Sequence, residues 1–219
     1  MKILVHACPA RMWYVRDFLL PSLEAQGLRA EICCDTRGRG NLAACMDAFA
    51  ALTGSGDTWH LQDDVLLCRD FAERIEALED FSGIVCGFVN EIAGPDGNLI
   101  GTQPVADMWY SFPCIRIPDE WARSCAAWTY SDAERSAIAN AMRAKGTGDD
   151  WFFREWATRA HPEAEVLNLT PCLVEHVDWL LGGSTVNQWR GHLSPAAYWD
   201  DMALTEELKK AIKTHRAPC

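Results

Sequence analysis

Two adjacent acids, Asp63 and Asp64, close a hydrophobic run that begins at Thr58 (TWHLQDD). Paired carboxylates at a strand end are ordinary turn formers. They are also the oxygen ligands that Mg²⁺ and Mn²⁺ take when a substrate phosphate completes the coordination. A second pair, Asp149 and Asp150, follows Gly146-Thr147-Gly148 and precedes an aromatic stretch. Acids at a helix start are stabilised by its N-terminus whatever their role, and an acid placed there can also take a proton from a hydroxyl. Asp35 closes another apolar run and leads into a polar loop with Arg37, Arg39 and Asn41. The acid serves either as a turn former or as an acceptor for a base or ribose. The arginines are either solvated or in contact with phosphate, and Asn41 suits a helix cap. His176 sits in an apolar run, as a core histidine or as an imidazole ligand.

The elements that must carry these residues alternate in type. Residues 2–8 (KILVHAC) read as a buried strand, and 16–26 as a helix with Pro21 as a kink and Gly27 as its stop. Ala30–Cys34 reads as a second strand, and Leu42, Cys45, Met46 and Phe49 mark one face of the next helix. Thr58–Gln62 reads as the third strand, 71–78 as a helix and 84–89 as a fourth strand. Such alternation implies a parallel sheet with helices on both faces. Ligands of such sheets sit beyond the carboxyl ends of the strands. The stretches that follow those ends are Pro9 to Arg11, Asp35 to Asn41, Gln62 to Val65, and Asn90 onward.

The second half is less regular. Residues 91–110 form a Gly- and Pro-rich loop, 111–117 a strand, and Pro118 opens a helix through Trp128. A capping box of Ser131 and Glu134 starts a helix over 131–145. Residues 151–159 read as a helix, 166–169 and 173–177 as short strands, and the tail from 195 to 215 as an amphipathic helical segment. The chain reads as one domain: a nucleotide-binding half (1–90), an acceptor-side half (91–190) and a helical tail (191–219).

Composition narrows the function classes. The 219 residues carry 20 Lys and Arg against 31 Asp and Glu, a net charge of −11, which argues against a general nucleic-acid surface. Ten cysteines would suit a disulfide scaffold in a secreted chain. Here the apolar run after Lys2 is too short for a signal sequence, and Cys33, Cys34, Cys86 and Cys114 lie in hydrophobic runs. The expectation is a cytoplasmic protein whose thiols are reduced and packed as small hydrophobes. No Cys-x-x-Cys pair points to structural zinc.

Taken in order, these features resemble a glycosyltransferase of the GT-A fold, similar to the large family 2 type. The resemblance runs from Lys2 to Asn187 and is sharpest at Gln62-Asp63-Asp64 and at 173–177 (LVEHV). It implies a Rossmann-like α/β fold with a mostly parallel central sheet. It implies a nucleotide-sugar donor such as a UDP-sugar, held by Pro9, Ala10, Arg11, Asp35, Arg37, Asn41, Gln62 and Asp63. It implies Mn²⁺ or Mg²⁺ on Asp64 and His176, bridging the diphosphate. Asp149 or Asp150 then acts as base on an acceptor hydroxyl of a glycan or small molecule, with inversion. Where the family often has a further acid, this chain has Gln62. Three other readings compete: a phage-type transferase acting on a modified base in DNA, a catalytically silent nucleotide-sugar-binding module, and a nucleotidyltransferase. The charge weighs against the first, the intact Asp pairs against the second, and the lack of a Gly-rich phosphate loop with a Lys against the third.

Overall fold

The computed structural model describes residues 2–51, 58–78, 84–86, 92–93, 99–100, 127–130, 140, 143–144, 166–168, 173–177, 181 and 210. Ten strands are seen among these residues: β1 (Lys2–Ala7), β2 (Ala30–Cys34), β3 (Thr58–Gln62), β4 (Val65–Leu67), β5 (Ile84–Cys86), β6 (Ile92–Ala93), β7 (Leu99–Ile100), β8 (Ala127–Tyr130), β9 (Val166–Asn168) and β10 (Val174–His176). The helical segments are α1 (Met12–Tyr14), α2 (Leu20–Ala25), α3 (Asn41–Ala51) and α4 (Phe71–Glu76). A 3-10 turn (Pro9–Arg11) precedes α1, and a π-turn (Val15–Leu19) joins α1 to α2.

Six strands form one mixed sheet in the order β2-β1-β3-β8-β5-β9. The β2-β1-β3 part is parallel, with Val5 level with Ile32 on one side and Leu61 on the other. β8 is antiparallel to both β3 and β5, and β5 pairs in parallel with β9. The fold is thus the expected mixed α/β class, with a parallel three-stranded unit flanked by helices. Two small ladders stand apart: β4 with β10, and β6 with β7.

Strand alternation sorts the side chains of β1 and β3 onto two faces. Ile3, Val5 and Ala7 join Trp59 and Leu61 in the main core, which also holds Tyr14, Val15, Leu19 and Leu23 from the first helical rod. Phe71 and Ile75 of α4 complete it, with the Trp59 and Phe71 rings edge to face at 5.8 Å. Full burial of each such aliphatic or aromatic side chain contributes about 1.5–3 kcal/mol. On the opposite face Leu4 packs with Ala48 of α3. Consecutive crossovers therefore cover opposite faces, as right-handed connections require when the chain moves to one side of β1 and then to the other.

Three sequence expectations need revision. The helix expected over 16–26 is not one regular α-helix: the Leu20 N–H bonds the Val15 carbonyl five residues back, a π-turn just before Pro21, and α2 starts anew at Leu20 with the proline in its first turn. The helix expected from Pro118 through Trp128 does not reach that far, because Ala127–Tyr130 is a strand inserted between β3 and β5. Its aromatic and β-branched residues (AWTY) suit a pleated surface better than a helix end. The loop expected at 91–110 contains the β6–β7 ladder. The strands expected at 30–34 and 58–62 are found with those bounds. The strand expected at 111–117 and the helix at 151–159 lie outside the described residues.

Cys8, Cys33, Cys34, Cys45 and Cys68 are not in disulfides. Cys45 and Cys68 are buried, whereas Cys8, Cys33 and Cys34 are only half-buried. β2 is the edge strand of the sheet, so its residues pack less completely than the sequence run implies, and Ile32 is 39% exposed.

Candidate functional site

In the order β2-β1-β3 the chain leaves β1 toward β2 and then returns past it to β3. The crevice beyond the carboxyl ends of β1 and β3 is thus a topological switch point, where the connecting segments diverge and leave space for a ligand. Residues 8–11 follow β1 there, and Asp63 and Asp64 form the turn between β3 and β4. Asp35 and its loop follow β2 on the adjacent edge. Hydrogen bonds join the three ends. The Asp35 N–H donates to the Ala7 carbonyl at 3.1 Å, and the Cys8 N–H donates to Asp63 Oδ2 at 2.7 Å.

The acid pair is built around a cation of the chain itself. Arg11 Nη1 donates to Asp63 Oδ1 at 3.0 Å and also to Asp64 Oδ2. All three residues are buried, at 4–6% exposure. The 3-10 turn explains the reach of Arg11: Pro9 at the start of the turn presets its backbone, and the Arg11 N–H closes it on the Cys8 carbonyl at 3.1 Å. Burial pushes the Asp63 carboxyl up and the nearby Asp64 charge adds to this, while Arg11 and the Cys8 N–H pull it down; the balance lies above the ordinary carboxyl range. Burial works against the charge on Arg11, but the two acids outweigh it and hold the guanidinium protonated. Burial, aided by the Asp63 charge, pushes the Cys8 thiol up to about 11, so it is no thiolate nucleophile at neutral pH.

Two backbone contacts fix the turn from behind. The Tyr14 hydroxyl, fully buried, donates to the Val65 carbonyl at 2.9 Å. The Val177 N–H donates to the Asp64 carbonyl at 2.7 Å, next to the antiparallel pairing of His176 with Val65. The backbone of His176 therefore lies beside the acid pair.

The second edge has its own arrangement. Asp35 is largely buried, and its Oδ2 accepts the Gly40 N–H at 3.2 Å. Its Oδ1 accepts Arg39 Nε at 3.3 Å, and Arg39 also pairs with Asp47 of α3. Burial pushes the Asp35 carboxyl up, but hydrogen bonds from the Arg39 side chain and from the Arg39 and Gly40 N–H groups hold it below the usual carboxylate value. The loop turns through Gly38 at φ 61° and Gly40 at φ 93°, a region that glycine enters without strain. Arg37 stands exposed on it, and Asn41 begins α3.

Pro9 and Ala10 are exposed on the turn after β1, and Gln62 ends β3 level with His6. The structure therefore places Pro9, Ala10, Arg11, Asp35, Arg37, Asn41, Gln62, Asp63 and Asp64 at or just after the carboxyl ends of the three neighbouring strands β1, β2 and β3. Asp149 and Asp150 lie outside the described residues. The sequence reading placed Arg11 among nucleotide contacts and missed its pairing with both acids. The available signal was an arginine two residues after Pro9, at the end of the strand that neighbours the acid-ended one.

The metal expectation can be tested against this donor set. A divalent cation needs oxygen lone pairs aimed at one point. Both oxygens of Asp63 already accept hydrogen bonds, and Asp64 shares the same guanidinium nitrogen. No group of three His, Cys, Asp or Glu side chains among the described residues converges on a metal-sized point. As arranged, these residues do not fit a resident Mn²⁺ or Mg²⁺, because the ion would face a buried guanidinium.

No helix among the described residues is long and apolar enough to cross a membrane. No protein-family model matches the chain, and no curated protein matches it. Among solved structures the chain is similar to the protein A197 from STIV, with 13% identity, a TM-score of 0.43, and coverage of 80% of this chain and 85% of that one. It is similar to 4-diphosphocytidyl-2C-methyl-D-erythritol synthase from Anaerococcus prevotii, with 12% identity, a TM-score of 0.44, and coverage of 77% and 88%. It is also similar to a protein described as a glucose-1-phosphate thymidylyltransferase from Bacillus anthracis, solved with a sucrose, with 8% identity, a TM-score of 0.40, and coverage of 77% and 86%.

Proposed function

We propose that this protein is a nucleotide-sugar transferase that holds its donor across the carboxyl ends of β1, β2 and β3. One observation carries the reading: the Asp35 loop, the Arg11 turn and the Asp63–Asp64 turn line one edge at a topological switch point. The nucleoside falls to Asp35, Asn41 and the Pro9–Arg11 turn. Exposed Arg37 suits a phosphate oxygen, which its planar fork can bind through two N–H groups. Gln62 belongs to the sugar or ribose side, and Asp63, with both oxygens occupied, holds the Arg11 turn beside it.

The transfer is a displacement. The acceptor oxygen attacks the anomeric carbon, the bond from that carbon to the phosphate oxygen breaks, and the nucleoside diphosphate leaves. Asp149 or Asp150 takes the acceptor proton, and attack opposite the leaving group inverts the centre. The net charge of −11 favours a glycan or small-molecule hydroxyl over DNA as the acceptor.

Calorimetric titration with a panel of nucleotide sugars, UDP-sugars first, followed by product analysis, tests the reading. One donor should bind saturably and slowly release nucleoside diphosphate. Loss of a charged phosphate contact in Arg37→Ala should weaken it about tenfold. Failure of every donor to bind, or unchanged affinity in both Arg37→Ala and Asp35→Asn, overturns it. Pyrophosphate released from a nucleoside triphosphate and a sugar phosphate would assign nucleotidyl transfer instead.

A further inference from the structure

We infer that Arg11, rather than a divalent cation, is the counter-charge of the Asp63–Asp64 pair, and that ligand binding at this edge is independent of metal. The cation half stands on the geometry of Arg11 alone; the ligand half rests on the proposed nucleotide function.

Two adjacent carboxylates at 4–6% exposure cannot both stay ionised without a compensating cation. Arg11 supplies it, from a single nitrogen that contacts both acids. The guanidinium is not a surface side chain swung in by chance. Its backbone is held in the 3-10 turn after β1, and its side chain is 7% exposed. The same turn offers the Cys8 N–H to Asp63, so the acid is held from two sides by one short segment. A cation entering the pair must expel Arg11 into solvent or stand against it. Like charges in a buried site repel far more strongly than in water. Arg11 and the two acids thus form a self-compensated buried cluster at the switch point that needs no bound cation, and the phosphate contact falls to the exposed Arg37.

A Mn²⁺ titration followed by electron paramagnetic resonance, on the wild type, Arg11→Gln and Asp64→Asn, tests the cation half. The wild type and Asp64→Asn should take up Mn²⁺ alike, with any uptake coming from the acidic surface. Arg11→Gln, with both carboxylates released, should gain a Mn²⁺ site. Wild-type uptake that Asp64→Asn abolishes overturns the inference. If Arg11→Gln does not fold, the comparison of wild type with Asp64→Asn decides alone.

The ligand half is read by UDP titration in EDTA and in Mn²⁺. The affinities should agree within about twofold, and a loss above about tenfold in EDTA overturns metal independence. If no nucleotide binds in either condition, the proposed function fails, and the Mn²⁺ titration still decides the role of Arg11.

Discussion

Arg11 Nη1 lies 3.0 Å from Asp63 Oδ1, and the two side chains are 7% and 9% exposed. This pair joins the end of β1 to the turn after β3, across the crevice where the connections of the sheet diverge. Its burial gives it weight that a surface ion pair would not have.

Arg11→Met should destabilise the protein strongly. It strands two buried carboxylates, and removal of one partner of a buried ion pair costs about 3–5 kcal/mol. Urea melts at neutral pH read the loss. Asp63→Asn in the Arg11→Met background should restore part of it, because one stranded charge is gone.

The two acid sites should respond to pH with opposite sign. Asp63 has a folded-state value raised above its ordinary 3.8. Its contribution is therefore fullest below that value and is lost as pH rises through the higher folded one. Asp35 has a folded-state value below 3.8, so its contribution is present above that value and is lost as pH falls through the lower one. In a stability profile from acid to neutral pH, Asp35→Asn should remove part of the loss seen on acidification. Asp63→Asn should remove part of the loss seen as pH rises out of the acid range. The same slope in both variants would contradict this.

Tyr14→Phe should lower stability by about 1–2 kcal/mol, because it leaves the buried Val65 carbonyl without the hydroxyl that donates to it. Since Val65 adjoins Asp64, hydrogen exchange at residues 64–67 should speed up more than exchange in β1.

Gly40→Ala should cost about 1–2 kcal/mol, since it forces a side chain into the left-handed region at φ 93°. Gly38→Asn, at φ 61°, should be better tolerated, because Asn enters that region more readily. Under the proposed function Gly40→Ala also weakens nucleotide binding, because the Gly40 N–H holds Asp35 in place.

The parallel strands and the residues at their ends were legible along the chain. Ala30–Cys34 and Thr58–Gln62 are apolar runs closed by acids, and local pattern is enough to set such short buried strands. Two features were not legible, for different reasons. The run at 127–130 is too short to show a period, and its strand state comes from lying between β3 and β5. The three-residue strand β4 exists because β10, more than a hundred residues later, pairs with it.

What the sequence by itself determined is the alternation of strand and helix, and the delivery of Asp35, Arg11, Asp63 and Asp64 to strand ends. Both follow from local periodicity and turn chemistry. What only the tertiary structure decided is which of these groups meet. Fifty-two residues separate Arg11 from Asp63, and no local signal records that β1 and β3 become neighbours while β2 lies on the other side of β1. That strand order buries the guanidinium with both carboxylates, and burial turns an acidic motif that reads as a metal site into a paired internal charge.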